Sequence, residues 1–433
     1  MTCKVLLMSL YHPELVRGGA QQVCYELFEA LREAPGFRPF LLAAIDNSYP
    51  ALFKSGARIT GFDGRPDEFV YLSQDYDHWW HKTGEPLLIE SFIEFLRTIQ
   101  PDVVHFHHFL AFGIDLVSVV RKTLPDCRIV FTFHEFLSIC AADGHMTRRT
   151  DRSLCSTASQ VRCHQCFPDR GPDQFMLRKM WFMNHLNQAD VFTCPSQFMI
   201  QHYVDWGLSA DRIHRVTNGQ RVRHADRTSP PRADRNRFGF FGQIHDDKGV
   251  HILLRAVTIL RGQGFTDFTV EINGDNIRFA SPEVRAEIET FLEEEETLPF
   301  AERIVFHNGS YHTDQLRERM NRVDWAIVPS IWWEIFGLVI SEAWSFGKPI
   351  ICSDVGGMKE RVADDVDGLH FAMGSPRALA EVMRRACTEP GLWQRLHDAL
   401  PIPPSREAMT DGYTALYLPV GTAKRAKTAA STI

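Results

Sequence analysis

The chain has 433 residues, more than one ordinary domain needs, so the sequence predicts at least two domains. Its 44% hydrophobic and 23% charged residues are ordinary for a globular protein, and a formal net charge of -7 argues against a general nucleic-acid binder. No run of about 18 apolar residues occurs, so no transmembrane helix is predicted. The ten cysteines are mostly scattered, which is typical of reduced thiols and favours a cytoplasmic protein.

The first half of the sequence alternates strand-like apolar runs with helix-like segments. Strands are predicted at residues 4–10, 40–45, 103–106, 129–133 and 191–194. Helices are predicted at residues 20–32, 87–99 and 175–186. This alternation predicts a doubly wound parallel sheet in a first domain of residues 1–220.

Residues 221–237 interrupt this pattern, because they are rich in arginine, contain Pro-Pro and have almost no apolar side chains. We expect an exposed linker there, although its arginines could also contact nucleic acid or lipid.

The second half of the sequence repeats the alternation in a predicted domain of residues 238–388. Its strands are expected at 238–241, 269–272, 304–307, 325–328 and 349–352, and a helix at 250–261. The acidic segment 283–296 is interpreted as a helix with a solvated face. The remaining residues, 389–433, are expected to form a C-terminal helix over 406–418 and a frayed end.

Two glutamates eight residues apart mark a candidate site in the second half. The predicted strand 325–328 ends at Pro329-Ser330, and a loop containing Glu334 follows. Gly337 then opens a helix-like stretch that contains Glu342. A strand, a loop and a helix N-terminus in this order favour a bound phosphate, and carboxylates can accept hydrogen bonds from sugar hydroxyls. The alternative is that the two glutamates are unrelated.

Lys248 is the candidate cation, because it follows a strand and stands at the start of a helix. An ammonium group beside a helix N-terminus would stabilise a diphosphate. The simpler alternative is a surface lysine beside acidic neighbours.

These segments resemble the retaining glycosyltransferases of family four. The resemblance covers residues 4 to 418 and is carried by an ordered series of motifs. They are Gly18-Gly19, Asp102–His105, Asn218-Gly219, Pro329-Ser330, Glu334-x-Phe336-Gly337-Leu338-x-x-x-Glu342-Ala343, Gly347-Lys348-Pro349, Gly356-Gly357-x-x-Glu360 and Asp367-Gly368. The resemblance implies an α/β protein with the GT-B fold: two Rossmann-like domains facing across a cleft, with the final helix crossing back to the first domain.

The resemblance also implies roles for individual residues. Glu342 would bind the ribose of a nucleotide sugar, Glu334 the hydroxyls of the transferred sugar, and Lys248 the departing diphosphate. From the first domain, His134 would lie near the reacting carbon and Gly19 over the phosphates. The implied donor-binding set is Gly19, Gln243, Phe336, Gly337, Leu338 and Glu342.

The implied reaction transfers a sugar, with retention of anomeric configuration, from a nucleotide sugar to a carbohydrate, lipid-linked or small-molecule acceptor. No metal ion is required, because cations and helix N-termini stabilise the developing charge. Nucleic acid is not an expected partner, and contact with the inner face of a membrane is an open alternative.

Two positions depart from the family pattern. Gln243 stands where the family commonly has arginine, which removes a charge from the diphosphate site. Glu135 replaces the commoner aspartate beside His134, and either carboxylate can orient an imidazole. The first departure keeps open a catalytically impaired protein that binds nucleotide sugars or carbohydrates; a GT-B epimerase or phosphorylase is a further alternative.

A cysteine-bearing segment at about residues 140–170 is a second candidate site. Its four thiolates could hold a structural zinc ion, and a similar insertion occurs in some members of the same family. Free thiols or a disulfide are the alternatives. The four cysteines are Cys140, Cys155, Cys163 and Cys166.

Basic residues surround this segment and could bind an anionic acceptor or a membrane surface, or could simply be solvated. They are Arg148, Arg149, Arg152, Arg162, Arg170, Arg178 and Lys179. An aromatic loop at residues 77–81 could stack on a sugar through Trp79 and Trp80, or could pack in the core.

Overall fold

The computed structural model of the protein describes residues 2–46, 48–53, 56–221 and 234–417. The chain divides into two compact units. The first comprises Met1–Arg221 with Pro404–Ile433, and the second comprises Val222–Pro403. Residues 222–233 of the predicted linker, and the predicted frayed end, lie outside the described residues.

The first unit is built on a sheet in which one strand, β3, runs antiparallel to its neighbour. The order across this sheet is β10-β9-β8-β7-β1-β2-β4-β3, and β5 and β6 form a separate hairpin. Its strands are β1 (Cys3–Leu10), β2 (Phe37–Ile45), β3 (Ile59–Gly61), β4 (Glu68–Leu72), β5 (Tyr76–Asp77), β6 (Lys82–Thr83), β7 (Val103–Phe106), β8 (Arg128–Thr132), β9 (Val191–Cys194) and β10 (Ile213–Arg215).

Helices cover the faces of this sheet, which is why its central strands are continuous apolar runs. Val5, Leu6, Leu7 and Met8 of β1, for example, are fully buried. The helices are α1 (Gly19–Glu33), α2 (Pro86–Ile99), α3 (Leu116–Thr123), α4 (Gln160–Cys166), α5 (Pro172–Leu186) and α6 (Gln197–Trp206).

The second unit contains a parallel sheet with the order β13-β12-β11-β14-β15-β16. Numbered within the unit, this is the order 3-2-1-4-5-6 of a dinucleotide-binding Rossmann domain. The strands are β11 (Arg237–Phe241), β12 (Thr269–Asn273), β13 (Val305–His307), β14 (Trp325–Val328), β15 (Ile350–Ser353) and β16 (Gly368–Phe371). The predicted fold class, α/β with two Rossmann-like domains, is confirmed.

The helices of the second unit alternate with these strands. They are α7 (Val250–Gly262), α8 (Pro282–Thr297), α9 (Leu316–Arg322), α10 (Leu338–Ser345), α11 (Gly356–Arg361), α12 (Pro376–Thr388) and α13 (Leu392–Asp398). One acid of α8 is structural rather than solvated: the buried Glu295 carboxylate accepts the backbone N–H groups of Ile304 and Val305 at 2.9 and 3.1 Å.

The predicted C-terminal segment, residues 389–433, does not belong to one unit. Its residues up to Pro403 belong to the second unit, and those from Pro404 belong to the first. Helix α13 packs into the second unit, where Trp393 and Leu396 belong to the apolar core. The following helix, α14 (Arg406–Tyr417), packs against α1 in the first unit. Within the described residues, no helix is both long and apolar enough to cross a bilayer.

Candidate functional site

The loops that follow β11 and β14 bring the main candidate residues of the second unit together. These two strands are hydrogen-bonded neighbours, with Phe240 paired to Ile327. The chain continues from β11 to one side of the sheet and from β14 to the other, so their carboxyl ends mark the point where the strand order reverses. Ligands bind at this point in open α/β sheets.

An ion pair joins these two loops. The Lys248 ammonium lies 2.6 Å from Oε2 of the Glu334 carboxylate. Their side chains are 25% and 14% exposed, so both groups are largely shielded and still reachable from solvent. The sequence places these residues 86 positions apart, and the fold brings them into contact.

Trp332 positions both members of this pair. Its indole N–H donates to the same Glu334 oxygen at 3.3 Å, and the Lys248 ammonium lies 5.0 Å from the ring centre. A cation over an indole ring is stabilised by the ring quadrupole. Trp332 is not among the site residues predicted from the sequence, because its two partners come from different elements of the fold.

Two glycines of α11 fix the backbone of the Glu334 loop. The Gly357 N–H donates to the Glu334 carbonyl at 2.7 Å. A Cβ atom on Gly357 would lie 2.0 Å from the Ile335 carbonyl oxygen, and one on Gly356 would lie 2.7 Å from that of Glu334. The loop can therefore approach α11 this closely only because these two positions lack side chains.

Gly337 starts helix α10 from a left-handed conformation, with φ of +70°. This turn leaves the first N–H groups of α10 without helical partners, and such groups favour an anion. Phe336, Gly337 and Leu338 therefore form the predicted helix N-terminus, directly after the Glu334 loop.

Arg361 supports this turn, although no sequence pattern predicts this role. Its guanidinium donates to the carbonyls of Phe336 and Gly337 at 2.9 and 2.8 Å and to Ser341 Oγ at 2.7 Å. Burial lowers the pKa of Arg361 to about 9. These three hydrogen bonds hold the turn that leads into α10.

The two remaining predicted donor contacts of the second unit differ in exposure. Glu342 is half-buried in α10. The pKa of Tyr311 is raised mainly by burial of Tyr311 and, to a smaller extent, by the nearby Glu342. Gln243 is exposed in the loop after β11, where Gly242 has φ of +145°. That loop packs tightly against its neighbour, since a Cβ on Gly274 would lie 1.7 Å from the Gly242 oxygen.

In the first unit, histidines gather where β7 and β8 end. His134 Nε2 lies 3.0 Å from His107 Nδ1, and the two rings are stacked. Burial and, to a smaller extent, the nearby His108 lower the pKa of His134 to about 3. His134 is therefore a neutral imidazole at neutral pH. Gly19 is exposed at the first residue of α1.

The Glu135 carboxylate was expected to orient the imidazole of His134, but its described contacts are with other residues. Its carboxylate accepts the Leu137 N–H and lies 3.8 Å from His108 Nε2. Burial raises the pKa of Glu135 to about 8. The described contacts of His134 instead assign its orientation to His107.

The four predicted zinc ligands lie on and around α4 and are not joined in disulfides. Burial and, to a smaller extent, the three other thiols raise the pKa of Cys163 to about 11. Throughout the described part of the chain, no group of three or more His, Cys, Asp or Glu side chains is arranged to hold a metal ion. The zinc site remains a prediction, which metal analysis of the purified protein would test.

The basic and aromatic residues near this segment separate into buried and exposed groups. Arg178, expected among the anion-binding cations, is buried and donates to the carbonyls of Leu137 and Ser138 at 2.8 and 2.9 Å. Trp79 packs against Arg170 and Phe175, which favours packing over sugar stacking for this ring.

Comparisons with known proteins agree with this fold. The model of group 1 glycosyl transferases matches residues 222–399, and that of glycosyltransferase family 4 matches residues 17–221. A glycogen synthase of Mycobacterium tuberculosis is 23% identical over 404 residues, covering 90% of this chain and 88% of that protein. A D-inositol 3-phosphate glycosyltransferase of Streptomyces avermitilis is 27% identical over 309 residues, covering 68% and 60%.

A solved structure supports the same conclusion about the fold. The crystal structure of Anabaena HepE in complex with UDP and glucose superposes with a TM-score of 0.64 at 17% identity, covering 96% of this chain and 99% of that one. The two family matches together take in residues 17–399, and one ends at residue 221 where the other begins at residue 222. Each half of the chain therefore matches a glycosyltransferase family model, and the chain has the GT-B fold.

Proposed function

We propose that the protein is a retaining glycosyltransferase that uses a nucleoside diphosphate sugar as its donor. The observation that carries this proposal is the Lys248–Glu334 pair, held at 2.6 Å directly before the N-terminus of α10. A cation and free backbone N–H groups suit a diphosphate, and a carboxylate suits sugar hydroxyls. HepE, which shares the fold, was crystallised with UDP and glucose.

In this proposal the diphosphate of the donor replaces Glu334 as the partner of the Lys248 ammonium group. Glu334 then accepts hydrogen bonds from the transferred sugar, while Trp332 keeps its carboxylate oriented. Glu342 accepts the ribose hydroxyls. Gly19 and His134 keep the roles predicted for them in the first domain. Gly19 lies over the phosphates of the donor, and His134 is a neutral hydrogen-bonding group near the reacting carbon.

The bond between the anomeric carbon and the diphosphate oxygen breaks, and its electron pair leaves with the diphosphate. Lys248 and the N–H groups at Phe336–Leu338 stabilise the negative charge that develops there. The acceptor hydroxyl forms the new bond on the face that the diphosphate leaves, which retains the anomeric configuration. Its proton passes to a departing phosphate oxygen, so no protein base is needed.

A catalytically impaired donor-binding protein is the second candidate, and the exposed, neutral Gln243 motivates it. Without a second cation at this loop, Lys248 carries more of the charge stabilisation. Binding of a nucleotide sugar without transfer or hydrolysis would favour this candidate over the first.

A donor panel tests the proposal. UDP-, GDP- and ADP-sugars would be screened for a rise in melting temperature, since a ligand that binds only the folded state stabilises it. The best donor would then be followed by proton NMR for transfer or slow hydrolysis. We expect release of nucleoside diphosphate and a sugar with the donor's anomeric configuration; release of the opposite anomer would disprove retention.

Three variants sharpen this test. Lys248→Met should reduce turnover about 100- to 1,000-fold, because the cation acts where charge develops. Lys359→Met, at an exposed lysine of the same domain, should leave turnover unchanged. Glu342→Ala should weaken nucleotide binding more than it slows the bound complex, and equal affinity by calorimetry would remove it from the ribose site.

A further inference from the structure

Helix α5 carries apolar side chains on the face that it turns to solvent. Met176, Leu177 and Met180 are 43%, 48% and 59% exposed, and their spacing places them on one side of the helix. The opposite side is buried through Phe175 and Phe182. A surface helix of a globular domain ordinarily carries polar side chains on its outer face, so an outer face of this kind indicates a binding surface.

The apolar surface continues onto the neighbouring helix α4. Val161 is 63% exposed, and with Met176 it lines a cavity of about 420 Å3 between the helices. Val161, Met176, Leu177 and Met180 form what we call the α4–α5 patch. They are four of the nine large hydrophobic side chains that are most exposed in the described residues, so the clustering is not an ordinary scatter.

The segment that bears this patch is positively charged in a negatively charged protein. Residues 140–186 contain seven Arg and Lys, four Asp and no Glu, a formal charge of +3, whereas the whole chain carries -7. Exposed Arg149, Arg162 and Lys179 lie on or beside the two helices, and exposed Asp173 lies in the first turn of α5.

Two of these cations contact neutral groups. The Arg162 guanidinium donates to Thr157 Oγ1 at 3.2 Å, and the Lys179 ammonium lies 5.7 Å from the centre of the Trp206 ring. Their charges therefore remain available to an anionic partner.

We propose that the α4–α5 patch docks the protein onto an anionic membrane surface. The apolar side chains would enter the boundary between headgroups and acyl chains, and the flanking cations would contact the lipid phosphates. Flexible methionine and leucine side chains suit a fluid boundary, which offers no fixed shape to match. The inference goes beyond the proposed glycosyl transfer and does not depend on it.

Vesicle co-sedimentation of the full chain tests this inference. Vesicles of equal parts phosphatidylglycerol and phosphatidylcholine should bind the protein, and pure phosphatidylcholine vesicles should bind it at least about fivefold more weakly. Raising the salt concentration from about 0.05 to about 0.5 M should weaken binding to the mixed vesicles, because the lipid and protein charges are screened.

The triple variant M176Q/L177Q/M180Q should lower the vesicle-bound fraction at least about tenfold, since it removes the apolar contribution while keeping good helix formers. The double variant R162E/K179E should lower affinity by about fivefold or more per removed cation and reduce the salt dependence. Each variant should melt within about 2 °C of the parent, as surface substitutions do.

A matched control replaces two exposed phenylalanines of the second unit, Phe279→Gln and Phe300→Gln, and should leave vesicle binding unchanged. Equal loss in the control and the triple variant would overturn the assignment to α4 and α5. So would absence of binding to the mixed vesicles, or a parent that is oligomeric by light scattering and becomes monomeric in the triple variant, which would make the patch a contact between copies.

Discussion

The two domains place different chemistry at the same point of similar sheets. In the first, strands β7 and β8 end in histidines that burial keeps neutral, with His107 and His134 in contact. In the second, strands β11 and β14 lead into a lysine and a glutamate that form an ion pair. The sheet fixes where a loop residue stands, and the loop sequence decides whether the site offers charge or neutral hydrogen-bonding groups.

The largest expected effect tests the charged site of the second domain. Glu334→Gln keeps the size of the side chain and removes its charge, so the pairing with Lys248 and the bonds to the sugar weaken together. We expect kcat to fall about 1,000-fold, or about 4 kcal/mol in transition-state stabilisation, with donor affinity changed much less. Steady-state kinetics with calorimetric binding measures both, and a loss confined to donor affinity would contradict the assigned role.

The second prediction tests the neutral histidines of the first domain by acidification. Burial lowers the pKa of His81, His108 and His185 to about 2, 4 and 4. Each has an ordinary pKa of about 6.5 when unfolded, so between pH 6.5 and 4 the unfolded chain binds protons that the folded chain does not. The contribution of these histidines to the unfolding free energy is complete above pH 6.5. It decreases as the pH is lowered, by roughly 1–2 kcal/mol per imidazole at pH 5.

Hydrogen exchange at pH 7 and pH 5, corrected for intrinsic exchange rates, can follow each domain separately. Amides of β7 and β8 should lose protection by several kcal/mol, whereas those of β11 and β14 should lose less, because the buried histidines with lowered pKa named above lie in the first domain. Equal loss in both sheets would contradict the contrast between the two domains.

The third prediction concerns the glycine that holds the charged loop. Gly357→Ala places a Cβ 2.0 Å from the Ile335 carbonyl oxygen, so the backbone must move. We expect a loss of about 2–3 kcal/mol in the unfolding free energy, together with lower activity. Gly262→Ala, where the added Cβ meets nothing within 4 Å, is the matched control and should be neutral or slightly stabilising.

The smallest expected effect makes the second domain more cationic. Gln243→Arg restores the residue common in the family at an exposed position. A partly exposed guanidinium near a diphosphate should tighten donor binding by about 1 kcal/mol, or roughly fivefold. Calorimetry with the best donor measures this change, and weaker binding would show that this loop has a different geometry at the diphosphate.

Sequence patterns predicted the fold well, because strand periodicity and helix amphipathicity are local properties. Strands such as Val103–Phe106 and Trp325–Val328 have their predicted bounds. The short strands β3 and β4 were missed, since few residues carry their pattern. Residues 389–403 were predicted as part of the C-terminal segment, and only packing such as that of Trp393 shows that they belong to the second domain.

The candidate site divides in the same way. Lys248, Glu334 and Gly337 were visible because each stands at a strand end or a helix start. Arg361 and Trp332 act through contacts that depend on tertiary structure, and the residue type alone does not predict these contacts. Arg178, in contrast, was expected to be available to an anion, and only the structure shows that three of its donors are used by backbone carbonyls.

The final helix has a consequence for how the chain is made. Tyr413 and Tyr417 of α14 are buried in the first domain, and the Tyr417 hydroxyl lies 2.7 Å from His105 Nδ1. The first domain therefore cannot complete its core until residue 417 has left the ribosome. The second domain is synthesised in between and needs no later segment, so translation favours its completion first, the reverse of the usual order from the N-terminus.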